Sequence, residues 1–239
     1  MPDKYTSRAN SKIKSLAQIA KKPRPECFIA EGFHMVEMAL QSGAVVEIFA
    51  VEDPKIEGAK VSLVTQEIVE KICQSKNPEP IFALCSLKDA KENLGNRILI
   101  LDRLQDPGNV GTLLRTACAF GFHDVFLLPG TCSPFNAKSL ASSQGAIFRV
   151  RLKMIGFEDL QKLSTKGYEI IGTALTDSKP LKGYEPKEKL ALILGNEGRG
   201  MSQEAKEKCD TLLKISIATM ESLNVAAAGA IFMHQFALI

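Results

Sequence analysis

The sequence predicts an α/β protein with a mostly parallel sheet, preceded by a smaller α/β unit. Two observations point there. Short apolar runs containing β-branched residues recur between longer amphipathic segments, the alternation expected of strands joined by crossover helices. The later runs also stop at polar loops, QDPGNVG, TALTD and GNEGRG, and in parallel sheets ligands sit past the carboxyl ends of the strands. With 239 residues, 45% of them apolar, the chain is long enough for one large core or two modest ones.

Taken in order, SKIKSLAQIAKK places Ile13, Leu16, Ile19 and Ala20 at helical spacing with lysines between them, an amphipathic helix with a cationic outer face. CFIAEG reads as a short strand, EGFHMVEMALQSG as a helix closed by Gly43, and VVEIFAV as a strand. VSLV, a helix from Gln66 to about Gln74, and PIFALCSL complete a first unit, residues 1–88. LKDAKENLGN is charged, poor in apolar residues and closed by Gly-Asn, so residues 89–96 read as a linker.

The second unit, 97–239, opens with the strand RILILDRL, the loop QDPGNVG and the helix TLLRTACAFGF. DVFLLPG is a strand, SPFNAKSLASSQG a loop running into a helix, FRVRLKM a candidate strand, and GFEDLQKLSTKG a helix. YEIIGTALTD is a strand with its loop, and LALIL leads into GNEGRG. A polar turn-over, EAKEKCDT, separates this from the strand LLKISI, and the chain ends in a helix whose start is marked by Ser222 and Asn224.

Composition excludes several classes. No stretch reaches the roughly 18–20 apolar residues of a membrane span, and no charged n-region precedes an apolar segment at the start, so a cytoplasmic protein is expected. Cysteines 27, 73, 85, 118, 132 and 209 show no CxxC or metal-ligand spacing, and with three scattered histidines no metal site is expected; buried reduced thiols are the plain reading. Net charge is +3 but uneven: residues 1–25 hold seven Lys/Arg (Lys4, Arg8, Lys12, Lys14, Lys21, Lys22, Arg24) against Asp3 alone, leaving −3 on the rest. A basic segment before a near-neutral body suits a polyanion partner; a solvated helix face would look the same.

Three constellations carry candidate chemistry. Asn109 and Arg115 lie six residues apart across a helix start, where the guanidinium suits a phosphate or a base face. An N-cap Asn and a surface Arg are also commonplace. GNEGRG puts three glycines, a carboxylate and a guanidinium within six residues, yet has neither the phosphate-loop nor the GxGxxG spacing. Glu221-Ser222-Leu223-Asn224 is, by itself, a good helix N-terminus. No Ser–His–Asp or Cys–His arrangement is legible.

Together and in this order, NVGTLLRTACAFG, LILGNEGRGMS and ISIATMESLNVAAAGAI resemble the three signature motifs of the SpoU (TrmH-like) RNA 2′-O-ribose methyltransferases. SRANSKIKSLAQIAKKPR and FIAEGFHMVEMAL resemble the substrate-binding domain that precedes the catalytic domain in many members. The resemblance implies a catalytic domain with its C-terminal part threaded into a deep trefoil knot, a small ribosomal-protein-like RNA-binding domain before it, a homodimer, and S-adenosylmethionine as cofactor. By motif, the catalytic positions are Asn109, Arg115, Glu197, Ser222 and Asn224. Thr173, Ala174, Leu194, Gly195, Gly200, Ile215 and Leu223 fall at cofactor-binding positions, and Arg8, Lys12, Lys14, Lys21, Lys22 and Arg24 are the candidate RNA contacts.

The implied reaction is methylation of a ribose 2′-hydroxyl, of a guanosine in large-subunit rRNA, with tRNA as the alternative substrate. A non-catalytic RNA-binding protein of the same fold and a generic nucleotide-binding enzyme are the rivals. Guanidinium groups are far too basic to act as ordinary proton acceptors, so Arg115 is expected to position a phosphate and stabilise charge on the 2′-oxygen, while Glu197 ties the second and third motif loops together. One departure stands out: Ile215–Met220 lacks the Pro and Gly usual in the third-motif loop and is about one residue shorter.

Overall fold

The computed structural model describes residues 2–87 and 93–237, so the first half of the expected linker lies outside the described residues. The elements group into two compact units, one comprising Met1–Ala90 with Ser133–Phe148, the other Lys91–Cys132 with Arg149–Ile239. The sequence reading differs here: it places SPFNAKSLASSQG in the second unit. Burial explains the grouping, because Phe28 is fully buried with its ring 5.0 Å from Phe135 and 6.0 Å from Phe148.

The first unit contains β1 (Asp3–Tyr5), α1 (Ser11–Lys21), β2 (Phe28–Glu31), α2 (Phe33–Ser42), β3 (Val45–Ala50), β4 (Val61–Val64), α3 (Gln66–Ile72) and β5 (Ile81–Cys85). Asn10 caps α1 by accepting from Lys12 N at 2.9 Å, and Gly43 closes α2 in the left-handed conformation. Ile13 and Leu16, on the apolar stripe of α1, are buried with Phe49, Ile68 and Phe82. The sheet order is β1-β4-β3-β5-β2.

The expectation of mostly parallel pairing fails in this unit, where β5 runs antiparallel to both β2 and β3. The loop after α3 is the reason. Gln74 N and Ser75 N donate to the Glu31 carboxylate, and Gly32 N donates to Ile81 O, so the chain re-enters the sheet beside the end of β2 and must run back along it.

The second unit contains β6 (Arg97–Leu101), α4 (Pro107–Ala119), β7 (Asp124–Leu127), β8 (Arg151–Met154), α6 (Phe157–Thr165), β9 (Glu169–Thr173), β10 (Lys179–Pro180), β11 (Leu190–Leu194), α7 (Gln203–Lys206), β12 (Thr211–Lys214) and α8 (Val225–Gln235); α5 (Ala137–Ser143) and a 3₁₀ turn, Ala146–Phe148, fall with the first unit. Its seven strands run β10-β12-β9-β11-β6-β7-β8, and every recorded pairing is parallel. β6 and β11 are buried throughout and, Arg97 at the start of β6 aside, read as continuous apolar runs, as central parallel strands do. Alternation divides their faces: Ile98, Ile100, Ala191 and Ile193 join Leu160 and Leu163 of α6, while α4 and α8 pack against each other elsewhere in the unit.

Candidate active site

Parallel pairing across β12, β9, β11 and β6 sets four carboxyl ends side by side, and the loops that follow them converge. A cavity of about 320 Å³ opens there, lined by Thr173 and Ala174 after β9, Gly195–Gly198 and Gly200 after β11, Lys214 and Ile215 at the end of β12, and Glu221–Leu223 before α8. That volume is within the range of small-molecule sites. Ile217 and Phe232 supply apolar wall; Glu197 and Glu221 supply negative charge.

The second-motif loop is folded by Asn196. Its Oδ1 accepts from Gly198 N and Arg199 N, both at 3.0 Å, while its backbone pairs with Gly200 in both directions. Its Nδ2 donates to Arg103 O at 2.8 Å, tying the loop to the strand end next door. Gly195 is where the loop doubles back: a Cβ there would lie 2.2 Å from Met201 N and 2.4 Å from Gly200 C. Both are backbone atoms and cannot step aside.

Glu197 joins this loop to the first motif. Its carboxylate accepts from Asn109 Nδ2 at 3.1 Å, Asp106 N at 3.2 Å and Gln105 N at 3.3 Å. Burial alone would raise its pKa, but the hydrogen bonds from Asn109 and from the Glu197, Gln105 and Asp106 backbone outweigh that and hold the carboxyl below its ordinary value. Asn224 Nδ2 in turn donates to Asn109 Oδ1 at 3.1 Å. The expected direct tie between Glu197 and the third motif is therefore replaced by a relay, Glu197 to Asn109 to Asn224, with Asn109 at its centre.

Of two helix starts at the site, one differs from expectation. α4 begins at Pro107, not at Thr112, with Asp106 as its cap accepting from Gly108 N at 2.8 Å. Asp-Pro is a legible cap signal, hidden here by Gly108 and Gly111. Asn109 is consequently the third helical residue, and its side chain is free to face Glu197. At α8 the cap is Asn224, one of the two residues that mark this start in the sequence, and its Oδ1 accepts from Ala226 N and Ala227 N at 2.8 and 3.3 Å.

The remaining expected residues divide. Thr173, Ala174, Gly195, Gly200, Ile215, Ser222 and Leu223 line the cavity. Leu194 does not: its side chain packs beneath α8, where a Cβ on Gly229 would lie 2.7 Å from Leu194 Cδ1. Arg115 is exposed and does not line its own chain's cavity; among the described residues it has no hydrogen-bond or ion-pair partner. Asn196 and Glu221 were absent from the expected set, although Asn-x-Gly is a readable side-chain turn.

In the first unit, Arg8, Lys14, Lys21, Lys22 and Arg24 are exposed. Arg8 Nε also donates to Glu67 O at 3.1 Å. Lys12 is different. Its Nζ lies 2.7 Å from both oxygens of the buried Glu47, which also accepts from Ser62 Oγ at 2.6 Å. Burial would lower the Lys12 pKa, yet hydrogen bonds with Glu47 and Tyr5 raise it on balance. Its charge is spent inside the unit, so the structure gives it a structural place and not an RNA-facing one.

The described residues contain no group of three or more His, Cys, Asp or Glu able to hold a metal ion, and no helix long and apolar enough to cross a membrane. Among the described residues no disulfide links the six cysteines; Cys73 and Cys85 are buried and the other four partly so. Burial pushes the thiols of Cys85 and Cys209 up to about 12, which leaves them unreactive as thiolates.

A cavity at adjacent carboxyl ends of parallel strands, with Glu197 of the carboxylate–amide relay on its wall, stands where α/β proteins with parallel sheets bind their ligands. Residues 96–234 match the SpoU rRNA Methylase family, and residues 10–83 match the MRM3-like substrate binding domain. The chain is 35% identical to the 23S rRNA (guanosine(2553)-2'-O)-methyltransferase RlmP of Bacillus subtilis (strain 168), over 96% of this chain and 97% of that protein. The AdoMet-bound rRNA methyltransferase of Sinorhizobium meliloti superposes with a TM-score of 0.87 at 25% identity, covering 98% of this chain and 97% of that one. The SpoU methyltransferase AviRb of Streptomyces viridochromogenes, in complex with AdoMet, shares the fold with a TM-score of 0.79 at 18% identity, over 95% and 97% of the two chains. This protein belongs to the SpoU rRNA Methylase family.

Proposed function

We propose that the protein transfers a methyl group from S-adenosylmethionine to a ribose 2′-hydroxyl of RNA, at a guanosine of large-subunit rRNA. The observation that carries this reading is the Glu197–Asn109–Asn224 relay on the rim of the cavity, which joins all three family motifs. Similarity to RlmP along 96% of the chain, the first unit included, supports the rRNA substrate over tRNA.

The lining fits the cofactor. Ile215, Ile217 and Leu223 offer apolar edges to a flat base, and two carboxylates, Glu197 and Glu221, suit a cationic ligand. When bound, the cofactor supplies an activated methyl group on a sulfonium. The chain's own tasks are then to hold the loops, orient the nucleophile and stabilise charge on its oxygen. Asn196 and Glu197 hold the loops; Ser222, exposed and without a hydrogen-bond partner among the described residues, offers its hydroxyl to the substrate or cofactor. Arg115 positions the target phosphate and stabilises the developing negative charge on the 2′-oxygen.

Arg115 lies six residues, about 9 Å of helix rise, beyond Asn109 on the exposed face of α4. This supports a homodimer in which a second copy brings its α4 to the cavity, as does Ile231, a large apolar side chain 43% exposed on α8. The reading extends to the threaded C-terminus. β12 lies beyond β9, yet α8 returns to α4, a path compatible with the trefoil knot of the resembled family. In the first unit, Arg8, Lys14, Lys21, Lys22 and Arg24 form the RNA-facing charge of a ribosomal-protein-like domain.

The test is transfer of label from S-adenosylmethionine to total RNA of a strain lacking the enzyme, followed by sizing. Label in large rRNA supports the reading, label in tRNA overturns the substrate, and none in any RNA favours the non-catalytic rival. Arg115→Lys should lower kcat at least tenfold, since Lys lacks the planar fork; near-normal turnover would remove Arg115 from this role.

A further inference from the structure

We infer that Arg103 is a second phosphate-contacting residue for the RNA substrate, aimed by a buried carboxylate; the inference rests on the methyl-transfer reading above. Arg103 follows β6 in the left-handed region, with φ 57°. A residue with a Cβ is strained there, and glycine would not be. Retaining an arginine at such a position calls for a use of its side chain.

The side chain is held at two points, and its acidic partner is itself held at a third. Its stem lies against Gly130, where a Cβ would come within 3.2 Å of Arg103 Cγ. Its Nε sits 3.4 Å from Oδ1 of Asp102, a side chain with no exposure, and neither of these two buried atoms has a hydrogen-bond partner. The other Asp102 oxygen is taken by Ser202 N at 2.5 Å, so the carboxylate cannot swing away. Beyond Nε the guanidinium emerges: the side chain is 38% exposed, and Nη1 and Nη2 have no partner among the described residues. Two donors on a fixed plane beside a reaction site match the oxygens of a phosphodiester.

Place and coupling both favour the acceptor strand as the source of that phosphate. Arg103 O accepts from Asn196 Nδ2, and Asn196 lines the cavity, so the backbone that carries the fork is tied directly to the second-motif loop. A phosphate drawn onto Arg103 would neutralise the charge that Asp102 only partly balances.

Two variants test this, Arg103→Gly, which removes the fork and the φ strain together, and Arg103→Lys, which keeps the charge without the fork. Both are assayed on transcribed large-subunit rRNA with labelled S-adenosylmethionine. Filter binding of the same RNA across salt concentrations, calorimetric cofactor affinity and thermal midpoint are measured in parallel. The expected result for Arg103→Gly is a folded protein with cofactor affinity within about twofold and KM for RNA raised about tenfold. The slope of log affinity against log salt should be shallower by about 0.7–0.9, the contribution of one phosphate contact. Arg103→Lys should recover the salt slope but only part of the KM. An unchanged RNA KM and salt slope in Arg103→Gly overturns the inference and leaves Arg103 as a counter-ion for Asp102. A loss of cofactor affinity with RNA binding intact also overturns it, making Arg103 a support for the loop. Should wild type bind RNA without methylating it, the methyl-transfer reading falls, and filter binding still decides Arg103.

Discussion

At Glu197, burial and hydrogen bonding pull in opposite directions, and the four hydrogen bonds prevail. Its folded-state pKa lies below the unfolded one, so its stabilisation is present above the ordinary carboxylate range and is lost as pH falls through the lowered value. The thermal midpoint gap between wild type and Glu197→Gln should therefore stay constant from about pH 6 to 8 and close below about pH 4. Glu197→Gln replaces one of the two accepting oxygens with an N–H₂ that must face either Gln105 N or Asp106 N, and kcat/KM should fall about 10–100-fold. Lys12 is the opposite kind of residue. Lys12→Ala leaves the Glu47 carboxylate buried without its main partner and should cost about 2–3 kcal/mol in urea unfolding. Lys14→Ala, on the exposed face of the same helix, should leave stability unchanged and weaken RNA binding. A count of lysines cannot separate these two, because the pairing of Lys12 with Glu47 spans 35 residues and depends on β3 lying beside β4.

At the scale of the element, the second-motif loop is the tightest part of the site. Any Cβ at Gly195 meets the Met201 and Gly200 backbone, so Gly195→Ala must open the turn. Cofactor affinity is expected to drop more than tenfold by calorimetry while the far-UV spectrum stays native; retained affinity would show that the turn can relax at no cost. Loop and helix positions were largely legible here. Buried strands announced themselves as unbroken apolar runs, β6 and β11 above all, and the three polar loops after strands do share one edge. The two-residue β10 and the edge strand β1 carry too few residues for any periodicity, and the antiparallel β5 depends on where Glu31 catches the returning loop. The hub role of Asn109 was equally out of reach, since it needs Glu197 and Asn224, 88 and 115 residues away in the chain, to arrive on either side.

For the molecule as a whole, the segment Ser133–Phe148 matters most, because it belongs in sequence to the second unit and in packing to the first. A fragment beginning at residue 93 would leave Phe135, 5% exposed in the whole chain, without Phe28. Such a fragment should bind a hydrophobic dye and sediment as aggregate, where a simple linker between autonomous domains would yield a soluble catalytic half. The same arrangement has a consequence during synthesis. Domains generally fold as they leave the ribosome, amino end first, but the first unit cannot finish until residue 148 has emerged. Until then Phe28 waits without its two aromatic neighbours, and most of the catalytic sequence up to β7 is already outside the exit tunnel with it. Slow codons between residues 87 and 148 should therefore lengthen the time this unfinished surface meets chaperones.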